Sequence, residues 1–224
     1  MDRNDIRKVL AKDAKLYIFD MDGTLIDTEK YYRIAWKYAL ESFGYHPTEE
    51  QLLMFRSLGR PFSAAYLKKT FGEELEYEQV RKVRQGRFNE LVETQGIQLK
   101  PGAKEILTFL REKNIVTAIA TCTNIERANQ YLKQIGLYDL LDRVISASMV
   151  ETGKPAPDIY LEVARRLGAK PENCLVFEDV PAGIMAGKNA GMKVIAVEDD
   201  FSETMKEEKE QLADRLIHDF YEVL

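Results

Sequence analysis

Cysteine is scarce in this chain. Cys122 and Cys174 are the only two among 224 residues, too few for a disulfide framework and in keeping with a reducing compartment. Histidine is equally rare, and neither His46 nor His218 stands in a recognisable motif, so neither is assigned a role. An excess of basic charge is also missing: 32 Lys and Arg face 37 Asp and Glu, a net charge of −5. Nucleic-acid binding, which needs a basic patch or stripe, is not expected. No run of about 18 apolar residues occurs, so no membrane-spanning helix is expected. Met1–Ala14 is charged and has no apolar stretch of the kind a secretory leader carries. The expected address is the cytoplasm.

What is present fits a soluble globular protein with a real core, with 45% hydrophobic and 31% charged residues. The length suits one large domain, or a core domain carrying a smaller insert. Short β-branched or aromatic runs alternate with longer helical patterns. Strands are expected at Leu16–Phe19, Ile115–Ala120, Val144–Ser146, Leu175–Phe177 and Val194–Val197, the last closing the series. Helices are expected from near Pro101 to Asn114, from Glu126 to Gly136, and from Pro157 to Gly168. The third has Tyr160, Leu161, Val163, Ala164 and Leu167 as its apolar stripe. This alternation predicts an α/β fold, a Rossmann-like parallel sheet with helices on both faces.

Residues 30–99 break the rhythm. They hold no convincing strand, and helical stretches at Tyr31–Phe43, Thr48–Leu58, Pro61–Phe71 and Glu78–Thr94 could pair into a small bundle with its own core. The expected organisation is a core of residues 1–29 and 100–224 with a helical insert at 30–99. The charge-dense run Glu203–Glu210 reads as a solvated helix face.

Four signals fall at or just after strand ends, where open α/β sheets bind ligands. In Asp20-Met21-Asp22-Gly23-Thr24, two carboxylates two residues apart can share one face of an extended segment. Paired like charges call for a cation or a proton, and oxygen ligands suit magnesium. Gly23 permits a sharp turn. An acidic N-cap, or a calcium-loop fragment, is the alternative, although Leu25 and Ile26 interrupt any calcium loop. Thr121, with Cys122, Thr123 and Asn124 behind it, offers a phosphate cradle or simply a helix N-cap. In Gly153–Asp158, Pro155 and Pro157 fix the loop that carries Lys154, whose ammonium can neutralise phosphate. Glu178 and Asp179 directly follow an apolar strand, a place that stability explains poorly and a metal explains well.

Together these segments resemble the haloacid dehalogenase-like hydrolases, in particular the subgroup holding β-phosphoglucomutase and phosphatases of phosphoglycolate and sugar phosphates. Phe19–Glu29 (FDMDGTLIDTE) is similar to the first motif of that family. Thr121, Lys154 and the Glu178–Asp179 pair match the second, third and fourth, and Phe177–Gly191 (FEDVPAGIMAGKNAG) is close to the subgroup's form. The resemblance implies Asp20 as nucleophile and Asp22 as general acid and base. It implies Mg²⁺ held by Asp20, the Asp22 main-chain carbonyl and Asp179, with Glu178 in or near the outer shell. Thr121 and Lys154 would bind the transferring phosphoryl, and 30–99 would be a mobile cap with joints near Thr28–Lys30 and Leu99–Gly102. Asp22 speaks against a dehalogenase, because expelling a halide needs no proton.

Two departures bear on the substrate. Tyr32 stands where β-phosphoglucomutases carry a histidine, and Phe62 stands where they carry an arginine after the glycine matched by Gly59. Arg56 and Arg60 lie nearby, out of register. With Lys68 they are the insert's candidates for a second anionic group, although solvated surface charge is the plainer reading of each. Val180 replaces a common serine. A phosphatase for a small phosphorylated metabolite is therefore expected, acting as a monomer, with a mutase or a non-catalytic phosphate-binding module as alternatives.

Overall fold

A computed structural model describes residues 14–57, 60–199 and 205–224, with the backbone alone at 57, 60 and 61. Gly59, the side chain of Arg60 and the start of the Glu203–Glu210 run lie outside the described residues. Two compact units emerge, one from the residues up to Asp27 with Leu99–Leu224, the other from Thr28–Gln98.

The first unit is built on a parallel sheet. Its strands are β1 (Leu16–Phe19), β2 (Val116–Thr121), β3 (Arg143–Ser146), β4 (Cys174–Glu178), β5 (Lys193–Val197) and β6 (Arg215–Ile217). They lie in the order β3-β2-β1-β4-β5-β6. The chain winds outward from β1 to β3, then returns to the other side of β1, so β1 and β4 flank the point where the order reverses. Ligands bind beyond the strand ends at such a point.

Alternation along β1 and β4 sorts the core into two faces. Leu16, Ile18, Cys174 and Val176 pack with Ile159, Tyr160 and Val163, while Phe19 stacks on Phe177 at 4.6 Å and both meet Phe220. Burial on both faces explains why these strands read as unbroken apolar runs.

β6 was not expected. Arg215-Leu216-Ile217 is too short and too charged to announce a strand, yet it pairs with β5 over Ile195–Val197. Boundaries elsewhere moved by a residue because the ladder sets them; β2, for instance, extends through Thr121. The helix expected after Pro157 is Asp158–Arg166, but Leu161 is exposed and Ile159 takes its place in the core. The expected solvated run forms the helix Lys206–Leu212, in which Lys209 is buried and donates to the Val197 carbonyl at 3.1 Å.

The second unit holds α1 (Glu29–Ser42), α2 (Glu49–Ser57), α3 (Arg60–Phe71) and α4 (Tyr77–Gln95). Its core gathers Trp36, Leu40, Leu52, Phe55, Leu67 and Val80, with Trp36 stacked on Phe55 at 4.1 Å. Tyr32 stacks on Phe88 at 4.1 Å, whereas Phe62 is exposed. Arg56 departs from the surface-charge reading: its side chain is 6% exposed and its Nε lies 3.5 Å from Glu29. Lys68 is partly exposed and pairs with Glu76 at 3.3 Å.

Candidate active site

Asp20 follows β1 directly, and its N–H continues the ladder by donating to the Phe177 carbonyl at 2.9 Å. The chain then turns back. Gly23 takes a φ of +85°, its N–H donates to Ile26 at 2.8 Å, and the N–H groups of Leu25 and Ile26 return to the Met21 carbonyl. An ordinary side chain would strain that backbone. The turn leaves Asp22 partly exposed and Thr24 buried. Thr24 Oγ1 donates to Asp179 Oδ1 at 2.9 Å, joining the loop after β1 to the end of β4.

Asp20, Glu178 and Asp179 converge. Each offers a carboxylate oxygen within 4.8 Å of the others, and all three residues are buried. Lys154 enters from the loop before α7 (Asp158–Arg166), the helix that follows α5 (Ala103–Glu112) and α6 (Ile125–Gln134). Its Nζ donates to Asp20 Oδ1 at 2.5 Å, to Glu178 Oε1 at 2.5 Å and to the Ala120 carbonyl at 3.3 Å. Burial alone would lower the Lys154 pKa, but the two carboxylates override it and hold the ammonium well above its ordinary range. Burial pushes the Asp20 carboxyl upward, Lys154 opposes the shift, and the charges of Glu178 and Asp179 add to it.

Three buried carboxylates against one buried ammonium leave two negative charges uncompensated, the charge of one divalent cation. Hard oxygen donors of this kind suit magnesium, so the residues fit that ion.

Asp22 is held by the segment after β2. Thr123 Oγ1 donates to Asp22 Oδ2 at 2.8 Å, Thr121 Oγ1 lies 3.5 Å from the same oxygen, and the Thr123 N–H donates to Thr121 Oγ1 at 3.0 Å. Ser146 at the end of β3 braces this segment by donating to the Thr123 carbonyl at 2.8 Å. Asn124 is the N-cap of α6; its Oδ1 accepts from the N–H groups of Glu126 and Arg127.

Asp20, Asp22, Thr121, Thr123, Lys154, Glu178 and Asp179 thus come together within the sheet unit, while Arg56 and Arg60 belong to the helical one. Three further residues take part. Tyr160 donates to Glu178 Oε1 at 2.5 Å, Thr24 steers Asp179, and Ser146 braces the cradle. Tyr160 carried a signal in the sequence, because a phenol on a helix's buried stripe must find an acceptor.

Comparison with known proteins agrees with this architecture. The sequence model of the haloacid dehalogenase-like hydrolases matches residues 17–197. The chain is 36% identical over 186 residues to the phosphorylated carbohydrates phosphatase of Thermotoga maritima, covering 80% of this chain and 82% of that one. It is 34% identical over 184 residues to hexitol phosphatase A of Escherichia coli, covering 82% and 83%. Among solved structures, CbbY from Rhodobacter sphaeroides in complex with phosphate superposes with a TM-score of 0.78 at 25% identity, covering 92% of this chain and 95% of that one. The match spans both the sheet and its acidic strand ends, and the chain is a member of the haloacid dehalogenase-like hydrolase family.

Proposed function

We propose that this protein is a Mg²⁺-dependent phosphatase that hydrolyses a small phosphomonoester of the sugar-phosphate class, with Asp20 as nucleophile. The observation that carries this assignment is the placement of Asp20, its side chain only 9% exposed, against Lys154 Nζ at 2.5 Å beside Asp179, at the switch point of the sheet. The relatives named as carbohydrate and hexitol phosphatases support the substrate class.

In the first step an Asp20 carboxylate oxygen attacks phosphorus; the new O–P bond forms as the ester P–O bond breaks. Asp22 gives its proton to the departing alkoxide. In the second step Asp22 takes a proton from a water that attacks the aspartyl-phosphate, the Asp20 O–P bond breaks, and inorganic phosphate leaves. Splitting the reaction in this way replaces one difficult displacement by two easier ones. Thr123 holds the Asp22 carboxylate in place for both transfers. Lys154 neutralises charge shared between Asp20 and the phosphoryl oxygens, and in phosphoryl transfer such neutralisation supplies most of the catalysis. Asp20, the Asp22 carbonyl and Asp179 would hold Mg²⁺, whose charge offsets that of the phosphate when it is bound.

Selection among substrates would fall to residues 30–99, with Arg60 as a cation for a second anionic group, since Arg56 is buried against Glu29. No described helix is long and apolar enough to cross a membrane, and both cysteines are free, in keeping with cytoplasmic residence; a monomer is proposed with it. The test is a turnover screen of phosphate esters with and without chelator, including β-glucose 1-phosphate with a bisphosphate primer. Hydrolysis of sugar or polyol phosphates that stops in chelator is expected. Primer-dependent isomerisation would instead make the protein a mutase, and absence of any turnover would leave a binding module.

A further inference from the structure

Tyr160 lies fully buried on the core face of α7 with Ile159, Val163 and Ala164. A phenol hydroxyl taken out of water needs an acceptor, and here it donates to Glu178 Oε1 at 2.5 Å. The same oxygen accepts Lys154 Nζ, and Glu178 Oε2 accepts the Asp179 N–H at 3.1 Å. Both oxygens of Glu178 are thereby engaged. Gly183 closes the remaining side, since a Cβ there would stand 2.0 Å from the Glu178 carboxyl. The carboxylate is wedged against main chain, with no slack in which to turn.

Lys154 carries three N–H donors, and three acceptors surround it: Asp20, Glu178 and the Ala120 carbonyl. Two buried carboxylates compete for this one cation, and in a site of low dielectric the one with more unrelieved charge draws it harder. The Tyr160 hydroxyl relieves charge on Glu178. That tilts the balance of Lys154 toward Asp20. The phenol ring also lies 5.3 Å from Lys154 Nζ, within cation–π range.

Building on the phosphatase assignment above, we propose that Tyr160 is a positioning residue for phosphoryl transfer: its hydroxyl restrains Glu178 so that Lys154 stays with Asp20 and the phosphoryl group it receives. Tyr160 itself touches no reacting atom. Glu178 on this account serves the lysine, because its Oε1 already accepts both Lys154 and Tyr160.

Tyr160→Phe removes one oxygen and keeps the ring, so it isolates the hydroxyl. Wild type and variant would be compared by steady-state hydrolysis, by calorimetric binding of inorganic phosphate and of Mn²⁺, and by thermal melting. The variant should melt cooperatively near the wild type and bind Mn²⁺ unchanged. Its kcat should fall by about tenfold to a hundredfold with a smaller change in KM, the size expected for losing one hydrogen bond to a charged group. Phosphate should bind more weakly. Tyr160→Leu, which also removes the ring, should lose more of kcat than Tyr160→Phe. An unchanged kcat in Tyr160→Phe would reduce Tyr160 to core filling and overturn the proposal. So would a loss of Mn²⁺ affinity in step with kcat, since Glu178 would then be serving the metal. If the wild type turns over no phosphate ester, the phosphatase assignment falls on its own. Phosphate binding still decides the role of Tyr160 in that case, for weaker binding by the variant supports it and equal binding overturns it.

Discussion

The hydroxyl of Thr24 donates to Asp179 Oδ1 at 2.9 Å, so the loop that leaves β1 aims a carboxylate at the end of β4. Thr24 is 0% exposed and Asp179 1%, and water cannot easily replace the bond. Thr24→Val keeps the shape and removes the donor. Partners that orient a metal-holding carboxylate are worth about ten- to a hundredfold in metal affinity. The Mg²⁺ concentration for half-maximal activity should rise by about that factor, while kcat at saturating Mg²⁺ changes little. Magnesium titrations of hydrolysis measure both, and an unmoved half-maximal concentration would contradict the assignment of Asp179.

Asp20→Asn should reduce turnover to background without loss of stability. In chelator the buried cluster carries excess negative charge, and the amide removes one unit of it. Burial and its acidic neighbours raise the Asp20 pKa, so the folded state holds more protons there than the unfolded one. Wild-type stability in chelator should therefore fall as pH rises from about 3.9, the unfolded carboxyl value, toward the raised folded value. Asp20→Asn should flatten that slope. Calorimetric melting across this pH range, with a low melting temperature for the variant as the contrary result, tests the point.

Asp22→Ala should discriminate between leaving groups. Its carboxylate is held by Thr123 at 2.8 Å, and its proposed task is to protonate a departing alkoxide. Alkyl phosphates should lose most of their turnover and p-nitrophenyl phosphate much less, because an aryl oxide leaves without a proton. The measurement is the dependence of log kcat/KM on leaving-group pKa. Parallel losses across the series would remove Asp22 from the acid role.

Lys209→Ala should destabilise the protein and spare its chemistry. The buried ammonium donates to the Val197 carbonyl at the end of β5, and losing such a partner costs about 1–3 kcal/mol. Lys209→Met restores the packing of the stem but not the donor, and should recover part of the loss. Denaturant unfolding at constant kcat would bear this out.

Much of the sheet was legible because its strands are apolar on both faces. Leu16-Tyr17-Ile18-Phe19 can scarcely be anything else ahead of two aspartates. Gly23 was legible too, since a glycine between acidic and apolar stretches announces a turn. β6 was hidden because its three residues gain their strand character only from β5. Lys154 announced itself by its prolines, but its partners Asp20 and Glu178 lie 134 and 24 residues away, and no periodicity predicts which acids a loop lysine will reach. Arg56 and Lys209 read as surface charge because composition cannot show that Glu29 or a strand-end carbonyl waits inside.

Where the helical segment leaves and rejoins the sheet unit, the two passages of chain run side by side: Ile26 bridges Leu99, and the Lys100 N–H donates to the Leu25 carbonyl at 2.9 Å. Seventy or so residues are thus spliced in at a point whose two ends are already fastened to each other. The entropy of closing such a loop grows only with the logarithm of its length, so the length of the segment scarcely burdens the scaffold. Evolution, or an engineer, can then exchange one insert for another at this doorway while the sheet and its acidic strand ends stay untouched.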